Sequence, residues 1–246
     1  MSLPQAGAAL TSAAAPTQIV VPSEGPAPLI WRVAIGDLFR VHQAPAGWWR
    51  SVVLILSANA VLMAALIGIG LSLFNDPHEM FRERRPGTFA TVAALVCAGI
   101  VSFKIRRRIL GRPIARFWLA FGILMCVAGA DDMFRLHEQI DRHFHRITGL
   151  NQKNPITDHF DDVLVASYVL PAFYFAFRHR KQLMAVPLTI QVLAVAFAVF
   201  AVHLVFDVLG MSQAAEECLK QTAACLIWIA LLATLYQPSL PASWET

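Results

Sequence analysis

Hydrophobic and polar positions follow each other in long blocks along this chain. Six apolar runs stand out: about Ser51 to Phe74, Thr88 to about Phe103, about Ile114 to Ala130, Val163 to Phe177, about Ala185 to Leu209, and Ala214 to about Tyr236. A helix that crosses a bilayer needs about 20 mostly apolar residues. The pattern therefore predicts an all-α fold, a polytopic bundle of six membrane-spanning helices, with the second and fourth runs short for a crossing.

The remainder divides around that bundle. Residues 1–29 are rich in Ala, Pro, Ser and Gly and are expected to be a disordered arm, because they cannot bury enough apolar surface to offset chain entropy. Residues 30–47 begin IWRVAIGDLFRV, where Trp31, Ile35, Leu38 and Phe39 alternate with Arg32, Asp37 and Arg40 at helical spacing. That predicts a short amphipathic helix lying in the headgroup plane. Trp48 and Trp49 mark the interface at which the bundle, residues 48–238, begins. Residues 239–246 form a short tail.

Composition agrees with a membrane protein. The chain has 246 residues, 57% hydrophobic and 15% charged, where a soluble domain carries about 45–50% and roughly 25%. This excludes a typical cytosolic enzyme. The sequence pI near 9.1 does not indicate nucleic-acid binding, because the arginines sit in short runs beside apolar stretches. The cysteines Cys97, Cys126, Cys218 and Cys225 form no C-x-x-C pair, so neither a disulfide framework nor a zinc knot is indicated.

Charge sets the expected orientation. Lys104, Arg106, Arg107, Arg108, Arg112 and Arg116 fall between runs two and three, and Arg178, Arg180 and Lys181 between runs four and five. With Arg32, Arg40 and Arg50 they make twelve of the 20 basic residues. Short basic loops stay cytoplasmic, which predicts a multi-pass protein of the cell membrane with both termini cytoplasmic. The opposite face then holds 13 of the 16 acids and six of the eight histidines, an asymmetry that topology does not explain.

Ionisable groups at membrane depth are costly and mark functional sites. If the third span continued as one helix, Asp131, Arg135, Glu138 and Arg142 would form a salt-bridged stripe, with His137, Asp141 and His145 as a neighbouring stripe four residues apart. The fourth run opens with Asp158, His159, Asp161 and Asp162. Acids in a first helical turn are favoured by the helix dipole, but Asp162 lies closer to the apolar body. His203 and Asp207 are an i, i+4 pair in an otherwise apolar helix and are the hardest ionisable residues to place at a surface. Ser212 is the expected cap of the sixth span, Glu216 pairs with Lys220 at i+4, and Glu217 points about 100° away toward the bundle. In the first run, Asn59 suggests an interhelical hydrogen bond, and Gly68 and Gly70 with Ser57 and Ala60 suggest close helix packing.

One face from each helix gives His203, Asp207, Asp162, Glu217, Asp132 and His137 as expected metal ligands. Histidines and carboxylates from four helices can hold a divalent transition metal, zinc or iron. The Glu-x-x-His pairs of carboxylate-bridged two-metal bundles are absent. Intramembrane hydrolases of the alkaline ceramidase type use a paired His-x-x-x-His; the corresponding spacing here reads His203-x-x-x-Asp207, and no residue is carried over. The string Asp131-Asp132-Met133-Phe134-Arg135-Leu136-His137-Glu138 resembles a D-D-x-F-x-x-H-E stretch of bacterial polytopic membrane proteins. Over eight residues it implies a bacterial inner-membrane setting and no activity.

The sequence has no G-x-x-x-x-G-K-[ST], G-x-G-x-x-G, H-E-x-x-H or G-x-S-x-G motif. Two functions remain. One is a metal-dependent membrane hydrolase or oxidase acting on a membrane lipid or other amphiphile at the outer face. The other is a non-catalytic subunit that docks against other membrane subunits through its charged outer helix. An ion pathway is disfavoured, since the inner halves of the spans are nearly devoid of charge.

Overall fold

Apolar runs of this length have one local solution that satisfies every backbone polar group, the α-helix. A computed structural model describes residues 44–81, 85–149, 163–164, 167–210, 212–239, 241 and 244, all within one compact unit, Leu38–Thr246. The expected arm 1–29, most of the interfacial helix 30–47, and the acids Asp158, Asp161 and Asp162 with His159 lie outside the described residues. Among the described residues the structure is all-helical, with no strand.

The elements are α1 (Trp48–Phe74), a 3-10 turn (Glu79–Phe81), α2 (Pro86–Arg108), α3 (Ala115–Phe134), α4 (Leu136–Thr148), α5 (Val169–Arg178), α6 (Arg180–Leu183), α7 (Pro187–Val208) and α8 (Gln213–Leu235). Five of these, α1, α2, α3, α7 and α8, are long and apolar enough to cross a membrane. Helices α2 and α7 each start with a proline, whose fixed φ and missing N–H suit the first turn. Helix α2 is longer than its apolar run predicts. Arg106, Arg107 and Arg108 complete its last turn, where positive charge meets the negative end of the helix dipole.

In the fourth run, Val163, Leu164 and Ser167 are helical and α5 covers Val169–Arg178. The third run departs from expectation. Rather than continuing outward as one helix, it stops at Arg135, which adopts left-handed φ 57° and ψ 45°, and α4 sets off in a new direction. The single stripe Asp131–Arg135–Glu138–Arg142 is therefore broken.

Side-chain bonds fix the helix directions. At one end Trp48 Nε1 donates to the Ile229 carbonyl at 3.0 Å, and Ser51 and Tyr236 share a 3.1 Å hydroxyl bond. Arg108 donates from Nη1 to the Leu235 carbonyl and from Nη2 to that of Gln237. Thr189 and Thr234 bond at 2.7 Å. The start of α1, the end of α2, the start of α7 and the end of α8 thus lie together. Helices α1, α3 and α7 run one way, and α2 and α8 the other. Trp244 closes this end: fully buried, it stacks near Trp118 and donates from Nε1 to the Gln182 carbonyl.

Helix α8 is the centre. It packs against α1, α2 and α7, while α2 also packs against α3, and α5 lies on α3. The α2–α3 crossing is tight because of Gly99 and Gly122. A Cβ on Gly99 would lie 2.8 Å from Cys126 Sγ and 3.2 Å from the Gly122 carbonyl, and one on Gly122 would lie 2.6 Å from the Phe103 ring. The glycines singled out in the first run play other parts. Gly68 faces open space, and Gly70 makes room for the Asp76 carbonyl of the following turn. Asn59 makes the expected bond between helices, donating from Nδ2 to Thr222 Oγ1 at 3.3 Å.

Candidate functional site

At the end opposite Trp48 and Tyr236, the polar ends of α3, α7 and α8 surround a cavity of about 500 Å³. Helix α3 contributes Asp131 and Asp132, the break after it Arg135 and His137, and α4 Glu138. Helix α7 adds His203 and Asp207, and α8 adds Gln213, Glu216, Glu217 and Lys220. Toward mid-helix the wall turns apolar, with Leu95, Phe121, Met125, Phe197 and Ile227. Five of the six expected ligands, His203, Asp207, Glu217, Asp132 and His137, therefore line one space; the sixth, Asp162, is outside the described residues.

They are not gathered around a metal position. Lys220 takes the central place, with its Nζ 3.0 Å from Asp132 Oδ1 and 2.6 Å from Glu217 Oε1. The expected Glu216–Lys220 pair gives way to this arrangement, because i+3 brings Glu217 to the lysine on the face that meets α3. Glu216 turns to α7 instead, its Oε1 3.9 Å from His203 Nδ1. His203 and Asp207 make no ion pair with each other. His137 turns back to Asp131, which accepts its backbone N–H at 2.8 Å and faces its Nδ1 at 2.9 Å. Of the neighbouring stripe only His145 and Asp141 remain together, at 3.3 Å. Among the described residues no group of three His, Cys, Asp or Glu side chains is placed to hold a metal ion, so the zinc or iron expectation finds no support in the donor geometry.

Local ion pairs also hold the start of α4. Arg135 forms a two-pronged bond with Glu138, and Arg142 lies 4.0 Å from the same carboxylate. One contributor escaped the sequence reading. His78, in the turn after α1, accepts the Ala214 N–H on Nδ1 and so satisfies a free donor of the first turn of α8. Ser212 stands at the cap position but makes no side-chain capping bond. Lys220 itself was legible only as a helix-surface partner, since nothing in the sequence says which helix it faces.

Several polar atoms on this wall have no hydrogen-bond partner in the protein: His203 Nδ1, Thr91 Oγ1, Asp132 Oδ2 and Glu217 Oε2. His203 and Thr91 are only 6% and 2% exposed. Buried polar groups are almost always bonded, so these atoms mark the part of the cavity wall equipped to meet a polar group.

Among the described residues, an all-helical bundle with five helices of membrane-crossing length and an acid-rich cavity at the end away from Trp48 is the class that fold and site define. The chain belongs to a family described as a domain of unknown function (DUF8692), whose model matches residues 51–235. The match covers α2 through α8 whole and all but the first turn of α1, and hence every side chain of the cavity. No curated protein and no solved structure matches the chain.

Proposed function

We propose that this is a six-span cell-membrane protein, with both termini cytoplasmic, that takes a lipid or other amphiphile into the cavity at its outer face. The sixth crossing is supported by direction. Helix α3 ends beside the cavity and α7 starts at the opposite end, so the chain between them must return. Helix α5 makes that return, running from Tyr168 at the cavity to Arg178 and the buried His179 at the basic end. The basic loops at Lys104–Arg116 and Arg178–Lys181 support a cytoplasmic placement of that end.

The observation that carries the binding reading is the graded wall. One space of about 500 Å³ is ionisable at the outer end and apolar toward the bilayer centre, which is the polarity profile of a lipid entering from its own leaflet. Ligand pockets of this size join an apolar lining to a few convergent polar groups. Lys220, Asp132 and Glu217 form a fixed polar floor that would orient a headgroup. A transition metal is no part of this reading.

Binding of a fluorescent single-chain amphiphile to the protein in nanodiscs tests it. Ala128→Trp places a large ring in the cavity from a half-buried position on α3. It should weaken binding at least tenfold while the variant remains monodisperse. No saturable binding to the wild type, or equal binding by the filled variant, would overturn the reading.

A further inference from the structure

We infer that α4 lies in the plane of the bilayer surface at the cavity end, its exposed face seated on lipid, with an apolar ridge among the acyl chains and a basic edge at the headgroup phosphates. This goes beyond the amphiphile reading and stands whether or not the cavity takes a ligand. The first observation is that α4 is turned inside out. A helix on the surface of a soluble protein points its charged residues to water and its apolar ones to the core. Here both acids of the helix, Glu138 and Asp141, are turned toward the protein, their side chains only 23% and 17% exposed. Glu138 lines the cavity, and His145, beside Asp141, is buried. The apolar residues point the other way. Leu136, Ile140 and Ile147 are exposed, the last two at 48% and 71%. At about 100° per residue these three fall within about 40° of one another around the helix, so they form one ridge.

Position says what covers the ridge. Helix α4 starts at the break that ends α3, and α3 is long and apolar enough to cross a membrane. The exposed apolar residues of α3, Ile123, Val127 and Phe134, recur at i, i+4 and i+11. They form one stripe that reaches the last residue before the break, so the side of α3 that meets acyl chains runs up to the start of α4. With 13 residues, α4 is about 20 Å long, too short to cross and of the length of an interfacial segment. Its charge fits the same place. His143, Arg146 and, further round, Arg142 are exposed to one side of the ridge. The outward half of the helix thus joins apolar surface to positive charge and carries neither of its acids. That combination meets acyl chains with one edge and phosphates with the other. A helix bathed in water has no use for the ridge, and a helix packed in a core has none for the arginines.

Nitroxide labels on Ile140→Cys and Ile147→Cys, in nanodiscs and with the native cysteines replaced by alanine, test the placement by power saturation. Both side chains are exposed already, so the label displaces no packed group. Oxygen, which concentrates among acyl chains, should relax each label at least threefold more than a water-soluble nickel chelate. A label on Arg146→Cys should show the reverse order. Greater relaxation by nickel at Ile140 and Ile147 would place the ridge in water and overturn the inference. Shielding from both reagents would mean that protein covers the ridge, a second copy or another segment of the chain, and would overturn it equally. The wild type supplies a measurement that needs no variant. A phospholipid with a diazirine in its acyl chain should label residues 136–147 on irradiation, and labelling of α1 without α4 would overturn the inference. Failure of amphiphiles to bind in the cavity would leave this placement untouched, so the two readings fall separately.

Discussion

Lys220 of α8 reaches Asp132 of α3 across the cavity floor, with Nζ 3.0 Å from Oδ1. The same Nζ donates to Glu217 one turn away at 2.6 Å, so one cation balances two carboxylates that are each mostly buried. Removing one partner of a buried pair leaves uncompensated charge, which costs about 3–5 kcal/mol. Lys220→Met should therefore destabilise the protein by about 3 kcal/mol, read as a large drop in melting temperature in detergent. Adding Asp132→Asn and Glu217→Gln to Lys220→Met should recover most of the loss. A single variant that melts like the wild type would show that the lysine is not holding α8 to α3.

The break at Arg135 makes a second prediction. Asp131 accepts both the backbone N–H and the ring of His137, so it anchors the first turn of α4 to the last turn of α3. A hydrogen bond to a charged group contributes about 1.5–3 kcal/mol. Asp131→Ala should cost about 2 kcal/mol and speed amide exchange at Leu136 to Gln139, with little change in the exchange of α8. Uniform loss of protection throughout the bundle would point instead to a global packing role.

The helices were legible because an apolar block of about 20 residues has few other fates. The convergence of ionisable groups was legible too, since charge asymmetry between loop sets is a one-dimensional property. Pairings inside the cluster were not. Glu216–Lys220 and Glu217–Lys220 are both sound helical spacings, and only the position of Asp132 on another helix chooses between them. The stripe through Arg135 failed for a related reason. Periodicity assumes one continuous helix, and one residue at φ 57° redirects every side chain after it. Gly99 and Gly122 gave no signal because their partner is 23 residues away rather than in an i, i+4 motif.

That α2–α3 crossing can be tested directly. A Cβ at Gly122 would meet the Phe103 ring at 2.6 Å, so Gly122→Ala must displace an aromatic side chain in a packed contact. Overpacking of this kind costs about 1–3 kcal/mol. Gly68→Ala, which faces open space on α1, should be neutral or slightly stabilising through helix propensity. Denaturation of both variants in the same detergent supplies the comparison. Equal stabilities would mean that α2 and α3 are not in close backbone contact.

Orientation is the prediction on which the outer placement of the cavity depends. Trp48, Arg108, Thr189 and Tyr236 lie at one end of the bundle, and Asp131, His203 and Glu216 at the other. Cytoplasmic retention of short basic loops assigns the first end to the cytoplasm. The four native cysteines are buried or half-buried and can be replaced by alanine to give a silent background. A single cysteine at Arg146, exposed on α4, should then react with a membrane-impermeant maleimide added to intact cells. One at Lys181, exposed on α6, should react only after permeabilisation. Labelling of Lys181→Cys from outside, with Arg146→Cys protected, would invert the protein. The cavity would then face the cytoplasmic leaflet, and any amphiphile bound in it would have to come from there. Labelling of both positions from outside would remove the crossing assigned to α5, and with it the even number of spans that brings Trp48 to Ile229.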